Sequence, residues 1–399
     1  MNPLTDPVEL LCELVRTESV NPKFGGCGEY NLAQLTAKYL SDAGFDVDLP
    51  EALPGRPNVV AFRRGTTERA IGFCAHLDTV SVEGMTIPPF EARVSGGRVW
   101  GRGSADPKAS MAAMICAIQQ EVARDAVSLP SILVLLTVEE ETSFEGARHF
   151  SSGSFPPLSG MIIGEPTGCE TSMIAGESTG NDARSTAGGC VRLVSAHKGV
   201  YRTKIHTTGK AAHAATPQSG VNAIYRMARV VARLEEFACK LAAQAGHPLV
   251  GPPTLNIGTI DGGTAVNTVP DRCTITIDRR VLPGEDIRSV EAELRELVAA
   301  CEGASIDEPF VSVPGYALDE QHPWARLVAG ALKQPADGVV PYATDASVLQ
   351  KANIPCLIYG PGQVKAAHSA DECVAVAELL EAVGGYRAII RRAADKEGL

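Results

Sequence analysis

The chain has 399 residues, 45% of them hydrophobic, which is too long for one typical domain and enough to fill the cores of a large domain and a smaller one. Its formal net charge is -11, from 36 basic and 47 acidic residues with no basic run, which argues against nucleic acid as the main partner. The start of the chain lacks a charged segment followed by an apolar core, and no apolar stretch approaches about 18 residues, so neither secretion nor membrane spanning is expected. The 11 cysteines are dispersed without a C-x-x-C pair and read as buried free thiols of a reducing cytoplasm.

Taken in order, the elements alternate between helix and strand. Asp6-Pro7 opens a helix with an N-cap acid and a proline at the first helical position, and Val8, Leu11, Leu14 and Val15 give it one apolar face. A second helix covers Leu32, Leu35, Tyr39 and Leu40 and stops at Gly44. The alternation continues to Gly164, as expected for a sheet with helices on its faces. After Lys198-Gly199 the order becomes β-α-β-β-α-β: a strand Tyr201 to Thr207, a helix Val221 to Leu241, strands Thr254 to Ile260 and Arg272 to Val281, a helix Asp286 to Cys301 and a strand near Ser305. That is the order of a ferredoxin-like unit. The α/β texture then resumes with Trp324 to Leu332 and Tyr342 to Gly362, so the small unit (198–309) reads as an insertion into a discontinuous larger domain (1–197 and 310–399).

Five acid or imidazole residues, His76, Asp106, Glu141, Glu165 and His368, stand in short polar breaks after apolar runs. His76 and Asp78 end the run Ile71 to Ala75; Asp106 follows the glycine-rich turn Gly101-Arg-Gly103 and precedes a helix-like run, Ala109 to Val122. Glu139-Glu140-Glu141 ends the buried strand Ser131 to Val138, Glu165 ends Met161-Ile-Ile-Gly, and His368 follows Gly360-Pro-Gly362. Three adjacent carboxylates at a strand end repel one another, and burying them without a cation would raise their pKa values and cost stability. A lone histidine after a strand is usually structural, and an acidic triplet is usually a solvated loop. The order and context of all five shift that balance toward a site for two metal ions.

The set resembles the metallopeptidase family that contains acetylornithine deacetylase, succinyl-diaminopimelate desuccinylase, glutamate carboxypeptidase and aminoacylase. The H-x-D, G-R-G-x-x-D-x-K, E-E, G-E-P-T and A-H-x-x-x-E segments come in that family's order, and the resemblance runs from about Glu9 to about Val383. It implies a mixed-sheet zinc-hydrolase catalytic domain with an inserted ferredoxin-like lid and dimerisation domain. It also implies two divalent ions, zinc or cobalt, with His76 and Glu165 on one, Glu141 and His368 on the other, and Asp106 bridging. Asp78 would orient His76, and Glu140 would be the general base. Aligned on Thr137, the family pattern leaves Glu139 as a flanking acid. Imidazole and carboxylate donors without thiolate suit an open catalytic site, and two such ions can activate water and polarise an amide carbonyl. The family holds a cis peptide after the bridging acid, a geometry that Pro107 would make less costly. Ala109, where the family usually has glycine, is a milder departure.

The same resemblance extends to the inserted unit. Gly209-Lys-Ala-Ala-His213 matches the segment whose histidine reaches a partner's active site across a dimer, so His213 would stabilise the developing oxyanion. The bland alternative is a strand-end histidine that caps the next helix. Asn267 and Arg280, by the D-x-R spacing from Asp278, match segments that grip a substrate carboxylate, with Gly362 joining them from the carboxy-terminal pattern. Arg279 is expected to be a solvated neighbour.

Between Thr167 and Val191 the match breaks at a Gly-, Ser- and Thr-rich segment, Gly168 to Cys190, whose composition favours a mobile surface loop. It includes a formal G-x-S-x-G around Ser178, but Asn181 to Gly189 makes a poor helix, so a nucleophile elbow is not expected. The pattern Thr344-Asp345-Ala346, Gly360-Pro-Gly362 and Ala196-His-Lys-Gly199 is nearer the acetylornithine deacetylase branch. The expectation is a cytoplasmic, homodimeric, dinuclear zinc amidohydrolase acting on a small N-acyl amino acid, N-acetylornithine first, with a role in arginine biosynthesis. Succinyl-diaminopimelate desuccinylase, aminoacylase and carboxypeptidase are the alternatives of the same architecture, and a metal-free binding or scaffold protein is the alternative of another class.

Overall fold

The computed structural model describes residues 5–168 and 191–395. The G-x-S-x-G segment around Ser178, and with it the expected loop, lies outside the described residues. The chain forms two units: one made of the chain up to Ser195, Leu318–Gly338 and the chain from Thr344 onward, the other of Ala196–Ala317 and Val339–Ala343.

The larger unit is built on a mixed sheet whose central strands, Ala70–His76 and Ile132–Thr137, are buried along their whole length. Both are near-continuous apolar runs, as required of strands covered on two faces. The strand order is Asp46–Asp48, Val59–Arg63, Ile132–Thr137, Ala70–His76, Leu158–Ile163, Cys356–Ile358, followed by Val194 pairing with Ile358. Ile132–Thr137, Ala70–His76, Leu158–Ile163 and Cys356–Ile358 run parallel to one another. Their carboxyl ends therefore open on one edge, where ligands bind in open α/β sheets. The helix Lys108–Asp125 is buried through Ile118 and packs against Pro7–Arg16 and Val376–Ala394. Asp6 caps the first of these, its carboxylate accepting the Val8 and Glu9 amides at 2.9 and 3.0 Å. Glu121 ties two helices together: it accepts from Arg124, Arg387 and Arg391 at 2.7 to 2.9 Å.

The smaller unit has the expected β-α-β-β-α-β order, with sheet order Thr254–Gly262, Arg272–Val281, Gly199–Thr208, Ala304–Ile306. Its helices, Ala223–Ala242 and Ile287–Ala299, present Met227, Val230, Leu234, Val290 and Leu294 to a core closed by Ile205, Ile275 and Ile277. This is the ferredoxin-like α+β unit anticipated from the sequence.

Two expectations need correction. Arg279 is not solvated: it is 1% exposed, with Nη2 donating to Glu285 at 2.8 Å, because alternation along Arg272–Val281 turns position 279 inward and position 280 outward. The described cysteines are free, but Cys27 and Cys239 are exposed rather than buried. No helix among the described residues is long and apolar enough to cross a membrane.

Candidate metal centre

The register of the parallel strands sets the site. His76 pairs with Thr137 and Cys74 with Ile163, so the residues just past each strand end, His76 to Asp78, Glu139 to Glu141 and Glu165, are brought level. Asp106 enters from the turn before Lys108–Asp125, after which comes a cis Asp106–Pro107 bond. His368 comes from the loop after Cys356–Ile358 and sits at φ 61, a left-handed conformation that L residues rarely adopt.

Asp106 lies between the two histidines, one oxygen toward each. His76 Nε2 is 3.1 Å from Asp106 Oδ1, and His368 Nε2 is 3.3 Å from Asp106 Oδ2. Glu165 Oε1 is 3.8 Å from His76 Nε2, and Glu141 Oε1 is 3.0 Å from His368 Nε2. Donor atoms of His76, Glu140 and Glu165, and of His76, Asp106 and Glu141, fall within 4.8 Å of one another. The structure thus gathers all five sequence-derived ligands and Glu140 at one place.

Asp78 acts differently from the simplest reading of an H-x-D pair. The closer partner of His76 Nδ1 is the main-chain carbonyl of Asp78 at 2.9 Å, with its carboxylate at 3.6 Å. That carboxylate instead accepts the amides of Glu140 and Glu141 at 3.0 and 3.2 Å and the Asn21 side chain at 2.8 Å. A ring nitrogen tied to a carbonyl leaves the other free for a metal, the usual arrangement around a metal histidine.

The electrostatics separate this cluster from its surroundings. Burial pushes Glu140 and Glu165 well above the ordinary carboxylate range; His76 offsets this only in part, and neighbouring acids add to it, Glu165 for Glu140 and Asp106 for Glu165. Glu141 is also raised by burial, against its bond to His368. Burial would raise Asp106 too, but His368 and His76 hold it below its ordinary value. His368 is pushed up to about 10, burial opposing and Asp106 and Glu141 prevailing. Among the described residues no arginine or lysine ion-pairs with Asp106, Glu140, Glu141 or Glu165. Four gathered carboxylates with two imidazoles and no thiolate are a donor set suited to divalent cations.

Sequence reading did not find the support behind the cluster. Glu139, at φ 66, is 1% exposed and pairs with Arg56 and, at 2.5 Å, with Lys23; Arg56 also pairs with the buried Glu29. Asn21 donates to both Asp78 and Glu139, joining this network to the site. Asn21-Pro22 carried only a turn signal, and nothing in spacing connects it to residues more than 50 positions away.

In the smaller unit, His213 and Asn267 are neighbours on exposed backbone. His213 pairs with Thr268, and Asn267 accepts the Ala214 amide at 3.0 Å. His213 Nδ1 accepts the Ala215 amide at 3.1 Å, so it does cap the adjoining turn, and the neutral ring carries its proton on Nε2. Arg280 is held by Asp278 at 2.8 Å and donates to the Pro341 carbonyl at 3.2 Å. Gly362, at φ 104, has both main-chain groups engaged: its amide donates to Glu378 at 3.1 Å and its carbonyl accepts from Gly168 at 2.8 Å. A Cβ there would lie 3.1 Å from that of Ala105, so the loop needs glycine.

The clustered carboxylates and imidazoles at this sheet edge suit divalent cations, and the relatives of the chain make it a metal-dependent hydrolase. Residues 195–302 match a peptidase dimerisation domain, and residues 58–162 match peptidase family M28. An acetylornithine deacetylase of Vibrio campbellii is 32% identical over 354 residues, 86% of each chain. The fold is similar to that of an M20 family metallo-carboxypeptidase from Sulfolobus solfataricus, with TM-score 0.77, 15% identity and coverage of 98% and 99% of the two chains. It is also similar to a dinuclear metal-binding peptidase of the M20 family from Bacillus subtilis, with TM-score 0.65, 16% identity and 98% of both chains covered. The chain belongs to the M20 family of metal-dependent peptidases and deacylases that includes acetylornithine deacetylase, and it is a metal-dependent amidohydrolase.

Proposed function

We propose that the enzyme removes the acyl group from an N-acyl amino acid, N-acetylornithine first, giving ornithine and acetate. The observation that carries the site assignment is Asp106 between His76 and His368, one oxygen to each, with Glu141 and Glu165 on the outer sides. In this reading His76 and Glu165 hold one cation, Glu141 and His368 the other, and Asp106 bridges; zinc is the first choice and cobalt the second. The pair of cations, when bound, supplies Lewis acidity toward water and toward the amide carbonyl.

Every other step falls to side chains of the chain itself. Glu140, whose carboxylate is made more basic by burial, takes a proton from the attacking water in its ionised form and, once protonated, returns that proton to the leaving amine. Asp78 keeps the Glu140 and Glu141 main chain in place. His213, with its proton on Nε2, is a donor for the oxyanion of the tetrahedral intermediate. Arg280 offers its planar fork to the substrate carboxylate in place of Asp278, Asn267 adds an amide, and Gly362 shapes the loop beside Asp106. The catalytic domain is assigned to 1–197 and 310–399, the lid and dimer contact to 198–309, and the setting to the cytoplasm and arginine biosynthesis.

The test is amine release from a panel of N-acyl amino acids and dipeptides, with zinc or cobalt added, against a chelator-treated control. Chelator-sensitive turnover greatest on N-acetylornithine supports the reading. A preference for succinyl-diaminopimelate, another N-acyl amino acid or a dipeptide keeps the mechanism and overturns the substrate. Metal binding without turnover on any of them favours a non-catalytic role.

A further inference from the structure

Glu372 closes the carboxy-terminal A-H-x-x-x-E pattern, and neither metal binding nor proton transfer has a use for it. It is 1% exposed, and both of its oxygens are filled by one turn of chain. Oε1 accepts the main-chain amides of Ala105 and Asp106 at 2.9 and 3.1 Å; Oε2 accepts the Gly103 amide at 3.0 Å and Arg102 Nη1 at 2.7 Å. Its own carbonyl accepts the Gly101 amide at 3.0 Å. Gly103, at φ 79, can follow this path because it lacks a Cβ, which would meet Thr79 at 2.9 Å.

The turn so held ends in Asp106, and the segment that holds it begins with His368. One carboxylate therefore links the loop of the central acid to the loop of one of its two imidazoles. Asp106 has the shortest side chain of the four clustered acids, so its oxygens follow its main chain, whereas Glu141 and Glu165 have an extra methylene with which to adapt. A glutamine at 372 would turn an amide –NH2 toward N–H donors, and an aspartate would fall short of them.

Resting on the metal-centre reading above, we infer that Glu372 is a positioning residue: it sets Asp106 against His368 and so fixes the affinity of the site for its cations. Supporting groups of this kind contribute about 10- to 100-fold to metal affinity when removed one at a time.

The test is cobalt titration of chelator-treated protein, followed by visible absorption and elemental analysis, with thermal unfolding of the metal-free protein alongside. Folded Glu372→Gln should bind cobalt about 10- to 100-fold more weakly, with an altered visible spectrum and a fall in kcat that exceeds any change in KM. Arg102→Gln, which spares the three main-chain bonds, should lose less affinity in the same direction. A folded Glu372→Gln with the wild-type binding curve and spectrum overturns the inference. If that variant fails to fold, Arg102→Gln decides, and wild-type cobalt affinity there overturns it equally. Failure of the wild-type chain to bind cobalt overturns the metal-centre reading itself, whatever the variants do.

Discussion

Two groups of buried acids meet just past the strand Ile132–Thr137, and the adjacent residues Glu139 and Glu140, one from each group, carry their charge in opposite ways. Glu139 and Glu29 share Arg56, with Lys23 and Asn21 completing the set; burial would raise Glu139, but Lys23, Thr142 and Arg56 hold it down to about 2. One residue further on, Glu140 has no such cation among the described residues, and with Glu165 it is pushed up by burial and by its neighbours. The fold can compensate a buried carboxylate where compensation serves structure. At the proposed metal centre no arginine or lysine among the described residues ion-pairs with the acids, so in the proposed reading bound cations would neutralise them.

The largest expected effect separates Glu140 from the ligands around it. Glu140→Gln should lower turnover by about two to four orders of magnitude with metal content unchanged, measured as kcat beside elemental analysis. Loss of one metal together with turnover would instead make Glu140 a ligand beside His76 and Glu165.

The comparison itself is tested by neutralising one acid from each group in metal-free protein. Glu139→Gln should destabilise by about 1.5 kcal/mol, because it removes one of the two carboxylates that Arg56 bonds. Glu165→Gln should stabilise by about 1 kcal/mol, because it removes repulsion. Denaturant unfolding reads both, and shifts of the same sign would mean that the two groups do not differ as described. Adding zinc or cobalt at about a hundred times its Kd should then stabilise the wild type by about 2.7 kcal/mol for each cation bound. In Glu165→Gln the gain should be smaller.

A last effect, confined to acid pH, is the stability that comes from Glu121. Burial would raise it, but Arg391, Arg387 and Arg124 hold it from 4.5 down to about 2. A depressed carboxylate contributes fully above its unfolded pKa, so this contribution is present above about pH 4.5 and is lost as pH falls toward 2. Glu121→Gln should flatten the acid limb in that window, measured by unfolding across pH; an unchanged limb would show that the three arginines do not stabilise the ionised form.

Much of this was legible because the chain marks it locally. An apolar run followed at once by His76, Glu139 to Glu141 or Glu165 announces a buried strand with polar groups at its end, and parallel pairing then puts those groups on one edge. The β-α-β-β-α-β order of the smaller unit was readable for the same reason. The solvated Arg279 was a misreading: an arginine pair says nothing of which member faces inward until the pairing of Arg272–Val281 with Gly199–Thr208 is fixed.

By itself the sequence determined the periodicities, the donor types and their order along the chain, since these depend on neighbours a few residues apart. Only the tertiary structure decided that His76 leans on the Asp78 carbonyl rather than its carboxylate, that Asn21 and Arg56 stand behind the acids, and that Glu372 grips the turn of Asp106. Each of these contacts joins atoms through a hydrogen bond whose existence depends on tenths of an ångström and on burial. Such distances are set when the sheet and its loops close together, not by any spacing written along the chain.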